Sequence, residues 1–238
     1  MTAAAQGGGT VAVVMQPYFA AYAGYYRLLA RADVFVIFDC VQFPRRGWVH
    51  RNRLPDAKGE SAWLTLPLRP APFDAPIGDL EFAPDAEALM AERLRAFPSI
   101  QRLGEAAERF LRPAPMRGLL VDYLEAQLRA AREFLGVAPQ LVRSSSLNIA
   151  PELEAQDRVL EILRQLGVAD YVNAPGGREL YDAAAFHARG VGLHFLEPHV
   201  GESWSLLHRL ATDADACRAE ILAQTPDLRR SDSRRPAA

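Results

Sequence analysis

The chain has 238 residues, half of them apolar, with charges of both signs that sum to a formal −2. That is enough material to bury a large core in one domain, and it gives no sequence-wide reason to invoke nucleic acid or anionic lipid. Two cysteines, Cys40 and Cys217, are too few and too far apart for a disulfide framework or a metal cluster, which fits a reducing compartment.

Residues 1–10, "MTAAAQGGGT", lack a basic region followed by an apolar run, and no stretch is long enough to cross a bilayer. The expectation is a flexible N-terminus on a cytoplasmic protein with no membrane partner. "VAVVMQP" then has the β-branched density of a short buried strand stopped by Pro17. Residues 21–32 carry apolar side chains at helical spacing, and "DVFVIFD" is a second buried strand. A strand, a helix and a strand within about thirty residues predict a parallel pair with a right-handed crossover. "WVHRNRL" and "AWLTLPL", separated by the turn "DAKGE", predict a hairpin lying across the sheet's end. The Pro-rich "RPAPFDAPIGDLEF" reads as a connector closing in a short strand at "IGDLEF".

From about residue 85 to 136 the chain is mainly helical, with Pro98, Pro113 and Pro115 breaking the runs. Alternation then returns: strand "QLVRSSS", helix "EAQDRVLEILRQLG", strand "ADYVNAPGG", short helix "LYDAAAFHARG" and strand "VGLHFLEP". One or two helices follow before a tail, residues 226–238, that reads as disordered. The expected architecture is α/β: a mainly parallel, Rossmann-like sheet in a single domain over 11–225, with a helical insertion at about 85–136.

Such sheets bind ligands at the carboxyl ends of their strands. Five groups of residues fall at those ends or beside them. The first is the Tyr-rich turn "VMQPYFAAYAGYY", whose Gln16, Tyr18, Tyr22, Gly24 and Tyr25 are read as pocket wall, while Tyr26 packs in the core. The second is "FDCVQF", which offers Asp39 and Gln42; Cys40 reads as a small buried hydrophobe. In the third, "RRGWVHRNRL", an extended strand puts Arg51 and Arg53 on one face and His50 and Asn52 on the other. Two arginines suit phosphate or carboxylate, and Trp48 could stack on a base or sugar. The fourth is Ser144, Ser145 and Ser146 with Arg158 in the next helix, hydroxyls that either bind phosphate or cap that helix. The fifth is Gly176, Gly177 and Tyr181 at another strand-to-helix turn, where backbone amides could approach an acyl or phosphate group.

No His, Cys and carboxylate pattern has metal-ligand spacing, and no serine sits in a nucleophile elbow, so no metal is expected and the cofactor is left unknown. His187, His194, His199 and His208 are scattered and read as surface or helix residues. His50 and Asp39 are the candidate base or acid.

In order, "QPYFAAYAGYYRLLARADVFVIFDCVQFPRRGWVHRNRL", "WLTLPL", "SSSL" and "APGGRELYD" resemble the WbqC-like proteins. These are bacterial proteins of about this length, often encoded with surface-polysaccharide or specialised-metabolite genes. The resemblance implies a context of sugar or small-metabolite modification. Family members usually continue the Tyr-rich turn with a Pro-Trp or similar pair where this chain has Ala20–Ala21, and the end of the chain follows the family loosely. Both departures imply a changed pocket. The opening is also similar, at fold level, to the HxGH nucleotidyltransferases and pantothenate synthetase, but neither histidine of that signature is present, which argues against ordinary adenylyl transfer.

The function expected from this combination is acyl or aminoacyl transfer to an amino group of a small phosphate- or carboxylate-bearing substrate. An acyl or aminoacyl carrier protein is the candidate protein partner. Nucleic acid is not expected. The alternatives are a nucleotide-dependent ligase or nucleotidyltransferase, and a non-catalytic module that binds a ligand or carrier protein.

Overall fold

The computed structural model describes residues 9–101 and 103–226; of the termini read above as flexible or disordered, 1–10 and 226–238, all but residues 9, 10 and 226 lie outside the described residues. The β-branched segments form strands where their periodicity predicts. β1 (Val11–Met15) leads through α1 (Ala23–Arg31) to β2 (Val34–Ile37), and the chain then leaves the sheet for the antiparallel hairpin β3 (Arg51–Pro55) and β4 (Ser61–Thr65). Helices α2 (Ala86–Leu94), α3 (Glu105–Leu111) and α4 (Leu120–Leu135) follow, then β5 (Gln140–Arg143). The last third runs α5 (Ala155–Leu166), β6 (Asp170–Asn173), α6 (Ala183–His187), β7 (Gly192–Phe195), α7 (Leu206–Thr212) and α8 (Ala214–Ala223).

Among the described residues, β5-β2-β1-β6-β7 form one all-parallel sheet in that order. The fold is α/β. Strand alternation sorts the core into two layers: Val11, Val13, Phe35 and Ile37 face the apolar stripes of α1 and α4, whereas Ala12, Val14 and Val36 face Val159, Ile162 and Leu163 of α5 and Phe186 of α6. Helix α4 therefore occupies the position of the crossover between β2 and β5. What departs from a plain doubly wound sheet is the hairpin with α2 and α3, inserted ahead of that crossover. Both α4 and α5 end where Gly136 and Gly167 turn left-handed, at φ 72° and 61°, which lets the last carbonyls be capped.

Two local readings differ. "IGDLEF" is a 3-10 turn at Ile77–Asp79 followed by isolated bridges, because its N–H groups bond to separate segments, Ile77 to Val41 O, Gly78 to Asp39 O and Phe82 to Gly118 O, and not along one partner strand. Ser144–Ser146 wind into a 3-10 turn instead of prolonging β5. The sheet's order reverses between β1 and β6, and α/β sheets open a crevice at the strand ends of such a switch point.

Candidate functional site

The chain leaves β1 through a turn that the sequence could not build unaided. Ala20 adopts φ 43°, a left-handed conformation that costs an alanine about 1–2 kcal/mol. Three buried polar side chains hold it there. Gln127 of α4 accepts from Ala20 N (2.7 Å), Asn52 of β3 donates to both Phe19 O and Ala20 O (2.9 Å each), and Ser205 donates to Ala20 O (2.6 Å). This clamp fixes Tyr18 and Tyr22 on either side of the turn.

Below them, at the switch point, lies a cleft of about 400 Å³. Gln16, Tyr18, Tyr22, Gly24 and Tyr25 wall it on the β1–α1 side, and Gly176, Gly177 and Tyr181 on the β6 side. Tyr25 donates to Gln16 O (2.9 Å) and packs 5.3 Å from Tyr18, and burial raises the pKa of both tyrosines. Gly24 exists for close approach: a Cβ there would fall 2.4 Å from Tyr22 Cε2. A Cβ on Gly177 would likewise sit 2.8 Å from Asn173 Nδ2. Tyr26 is fully buried and meets Phe110 edge-on, a core residue as its position predicts.

Two cleft residues were not singled out from the sequence. Arg27 is 4% exposed, and its guanidinium donates to Glu197 O and twice to Gln224 O. Its hydrogen-bonding partners among the described residues are carbonyls, and burial lowers its pKa while the nearby Tyr22 and Glu197 raise it. His199 meets Tyr22 edge-on at 5.7 Å; its Nε2 lies 2.9 Å from Glu220 Oε1 without the alignment of a hydrogen bond, and its Nδ1 is likewise buried and unpartnered. Burial lowers its pKa, Glu220 opposes that and Arg27 reinforces it, leaving a neutral imidazole at neutral pH.

A second compartment, about 510 Å³, adjoins the first through the shared residues Tyr18 and Tyr22. Trp48, Asn52, Arg53, Ser61, Ser203 and Trp204 complete it. Asp39, Ser144, Ser145 and Arg158 lie elsewhere, around a cavity of about 410 Å³ at the ends of β2 and β5. There the Asp39 carboxylate accepts from Ser144 Oγ (2.9 Å), Ser145 N (2.9 Å) and Ser145 Oγ (2.6 Å). Arg158 donates to the carbonyls of Cys40, Pro151 and Leu153. Asp39 and the two serines satisfy one another and tie the end of β2 to the turn after β5, while Arg158 is held by backbone carbonyls. A further cavity, about 560 Å³, opens between α2 and residues 111–116, away from the strand ends, and is lined largely by apolar side chains.

The remaining candidates take other places. Gln42 donates to Phe73 O, and Ser146 to Arg143 O. Arg51 donates to Gly47 O and Arg46 O while stacked 4.2 Å from the Trp63 ring. His50 packs edge-on against Phe43 with its Nδ1 buried and without a hydrogen-bond partner, and burial together with the neighbouring Arg51 and Arg93 lowers its pKa to about 4. It faces neither strand-end compartment, so its geometry does not favour the acid–base role. No group of three or more His, Cys, Asp or Glu among the described residues could hold a metal ion, and no described helix is long and apolar enough to cross a membrane.

The ordered strand-end motifs and this α/β frame coincide with a known family. The model of the WbqC-like protein family matches residues 16–208. The chain belongs to the WbqC-like protein family. The matched span begins at Gln16 and takes in the Tyr-rich turn, the hairpin, Gly176–Gly177, His199 and Ser205. This WbqC-like protein is also similar to a Mycobacterium tuberculosis (strain ATCC 25618 / H37Rv) protein described as uncharacterized protein Rv1507c. The two are 26% identical over 190 residues, which span 74% of this chain and 77% of the relative. No solved structure gives a significant match.

His199 had a signal that sequence reading could have used. It follows β7 in "LEPHV", so it stands just past a strand end in the half of the sheet that faces β1 across the switch point. Arg27 had none, since an arginine four residues into an amphipathic helix normally snorkels to solvent.

Proposed function

We propose that this WbqC-like protein is a transferase of surface-glycan or specialised-metabolite biosynthesis, moving an acyl or aminoacyl group onto an amino group of a small phosphate- or carboxylate-bearing substrate. The observation that carries the reading is the pair of adjoining compartments divided by Tyr18 and Tyr22, because a transfer reaction needs donor and acceptor side by side. Arg27 supplies the charge for an anionic group in the switch-point cleft, and the Gly176–Gly177 turn allows backbone approach there.

Within this reading, His199 is the base that takes the proton from the attacking amine. It lines the cleft beside Tyr22 and stays neutral near pH 7, with Nδ1 free of any hydrogen bond among the described residues and Glu220 Oε1 2.9 Å from Nε2. Asp39 and the serines then act as the brace between β2 and β5. Thermal-shift screening against nucleotides, nucleotide sugars and acyl or aminoacyl donors tests the whole reading. Two ligands of different class should stabilise the protein together by more than either alone, and transfer between them should fall at least a hundredfold in His199→Gln. Mutually exclusive ligands, or unchanged turnover in that variant, would refute the two-compartment mechanism. Stabilisation by ATP alone would favour the ligase alternative.

A further inference from the structure

All three tryptophans of the chain stand at the second compartment. Trp48 and Trp204 line it, and Trp63 packs 5.1 Å from Trp48. Trp48 and Trp63 remain 39% and 37% exposed, so their ring faces are only partly covered by the protein.

Arg53 lies over this pair, its guanidinium 4.7 Å from the Trp63 ring and 5.7 Å from the Trp48 ring. Unlike Arg51 beside it, Arg53 makes no side-chain hydrogen bond or ion pair among the described residues, so all its N–H donors stay open. Cation–π contact holds the fork in place, and an anion arriving there would cost little further side-chain freedom.

The open polar groups around it include three hydroxyls. Ser61, Ser203 and Tyr22 present hydroxyls with no hydrogen bond among the described residues. The amide of Asn52 is fully engaged by the turn and by Arg53 N. An adenine edge is read by a donor and an acceptor side by side, as on a free amide, and this compartment has no free amide to give. Hydroxyls that both donate and accept, set among aromatic faces with one cation, suit a polyhydroxylated ring carrying a negative group.

We propose that the second compartment binds an anionic sugar, its ring against Trp48 and Trp204 and its phosphate or carboxylate on Arg53. That this sugar is one of two reactants rests on the transferase reading; its binding rests on the compartment alone. Because the tryptophans all stand here, intrinsic fluorescence reports occupancy directly.

Glucose 1-phosphate and glucuronate are the probes, with glucose, inorganic phosphate and adenosine monophosphate as comparisons. Both sugar anions should give saturable fluorescence changes at concentrations at least tenfold below those needed for glucose or phosphate. Arg53→Gln, at an exposed position that leaves folding intact by melting temperature, should weaken both at least tenfold. Trp204→Phe, a second variant, should reduce the amplitude and the affinity. His199→Gln should keep the tenfold preference for the sugar anions over glucose and phosphate even while transfer falls at least a hundredfold, so the sugar site and the transfer mechanism can fail separately. Phosphate alone matching the sugar anions, tighter binding of adenosine monophosphate, or an unaltered Arg53→Gln titration would each overturn the proposal.

Discussion

Replacing Asn52 by alanine should destabilise the protein by about 2–4 kcal/mol, a large effect for a residue chosen from the sequence as a ligand contact. The side chain is 4% exposed and makes three hydrogen bonds, two from its Nδ2 to Phe19 O and Ala20 O and one accepted by Oδ1 from Arg53 N. Each net bond contributes about 1 kcal/mol, and a buried carbonyl left unpaired costs about 1–3 kcal/mol more. Ala20 O keeps Ser205 as a partner, so Phe19 O bears most of that second cost. The same loss frees Ala20 to relax from its left-handed conformation, which would return part of the strain and loosen Tyr18 and Tyr22. Urea unfolding followed by circular dichroism measures the change, and the melting temperature should fall by about 5–15 °C in a chain of this size. Ser205→Ala should cost about 1–2 kcal/mol, and the double variant should depart from additivity because both side chains serve one carbonyl. A loss below about 0.5 kcal/mol for Asn52→Ala, or strict additivity of the pair, would refute the clamp.

Gly24→Ala should leave stability within about 1 kcal/mol, since alanine favours the helix, yet weaken ligand binding in the switch-point cleft at least tenfold by displacing the Tyr22 ring; calorimetric titration beside a melting curve separates the two. Asp39→Asn should lower stability by about 1–3 kcal/mol through the three bonds it disturbs, while ligand affinity measured by the same titration stays put. His50 should make the protein lose stability as pH falls from about 6.5 toward 4, because over that window the unfolded chain takes up a proton that the folded state, with its depressed pKa, refuses. His50→Phe should flatten the pH dependence of the urea midpoint there, and an unchanged slope would show that another group carries it.

The sequence by itself determined the parallel strands, their crossover helices and the ends at which ligands gather. Those features follow from local periodicity: continuous apolar runs make buried strands, and the α1, α4 and α5 stripes each demand a sheet face. It also marked Gln16, Tyr18, Tyr22, Gly176 and Gly177, because position at a strand end is readable once the strands are known, and the fold brings these five to one cleft. Only tertiary structure decided which polar residues face each other. Asn52 and Arg53 are neighbours in sequence, but one closes on a backbone turn and the other on two tryptophans, since adjacent strand residues point to opposite faces. Asp39 found Ser144 and Ser145 more than a hundred positions away, and Arg27 found Gln224 across most of the chain. A hydrogen bond between distant segments leaves no period in the sequence, so whether a polar side chain braces the fold or awaits a ligand is decided only when the chain has closed.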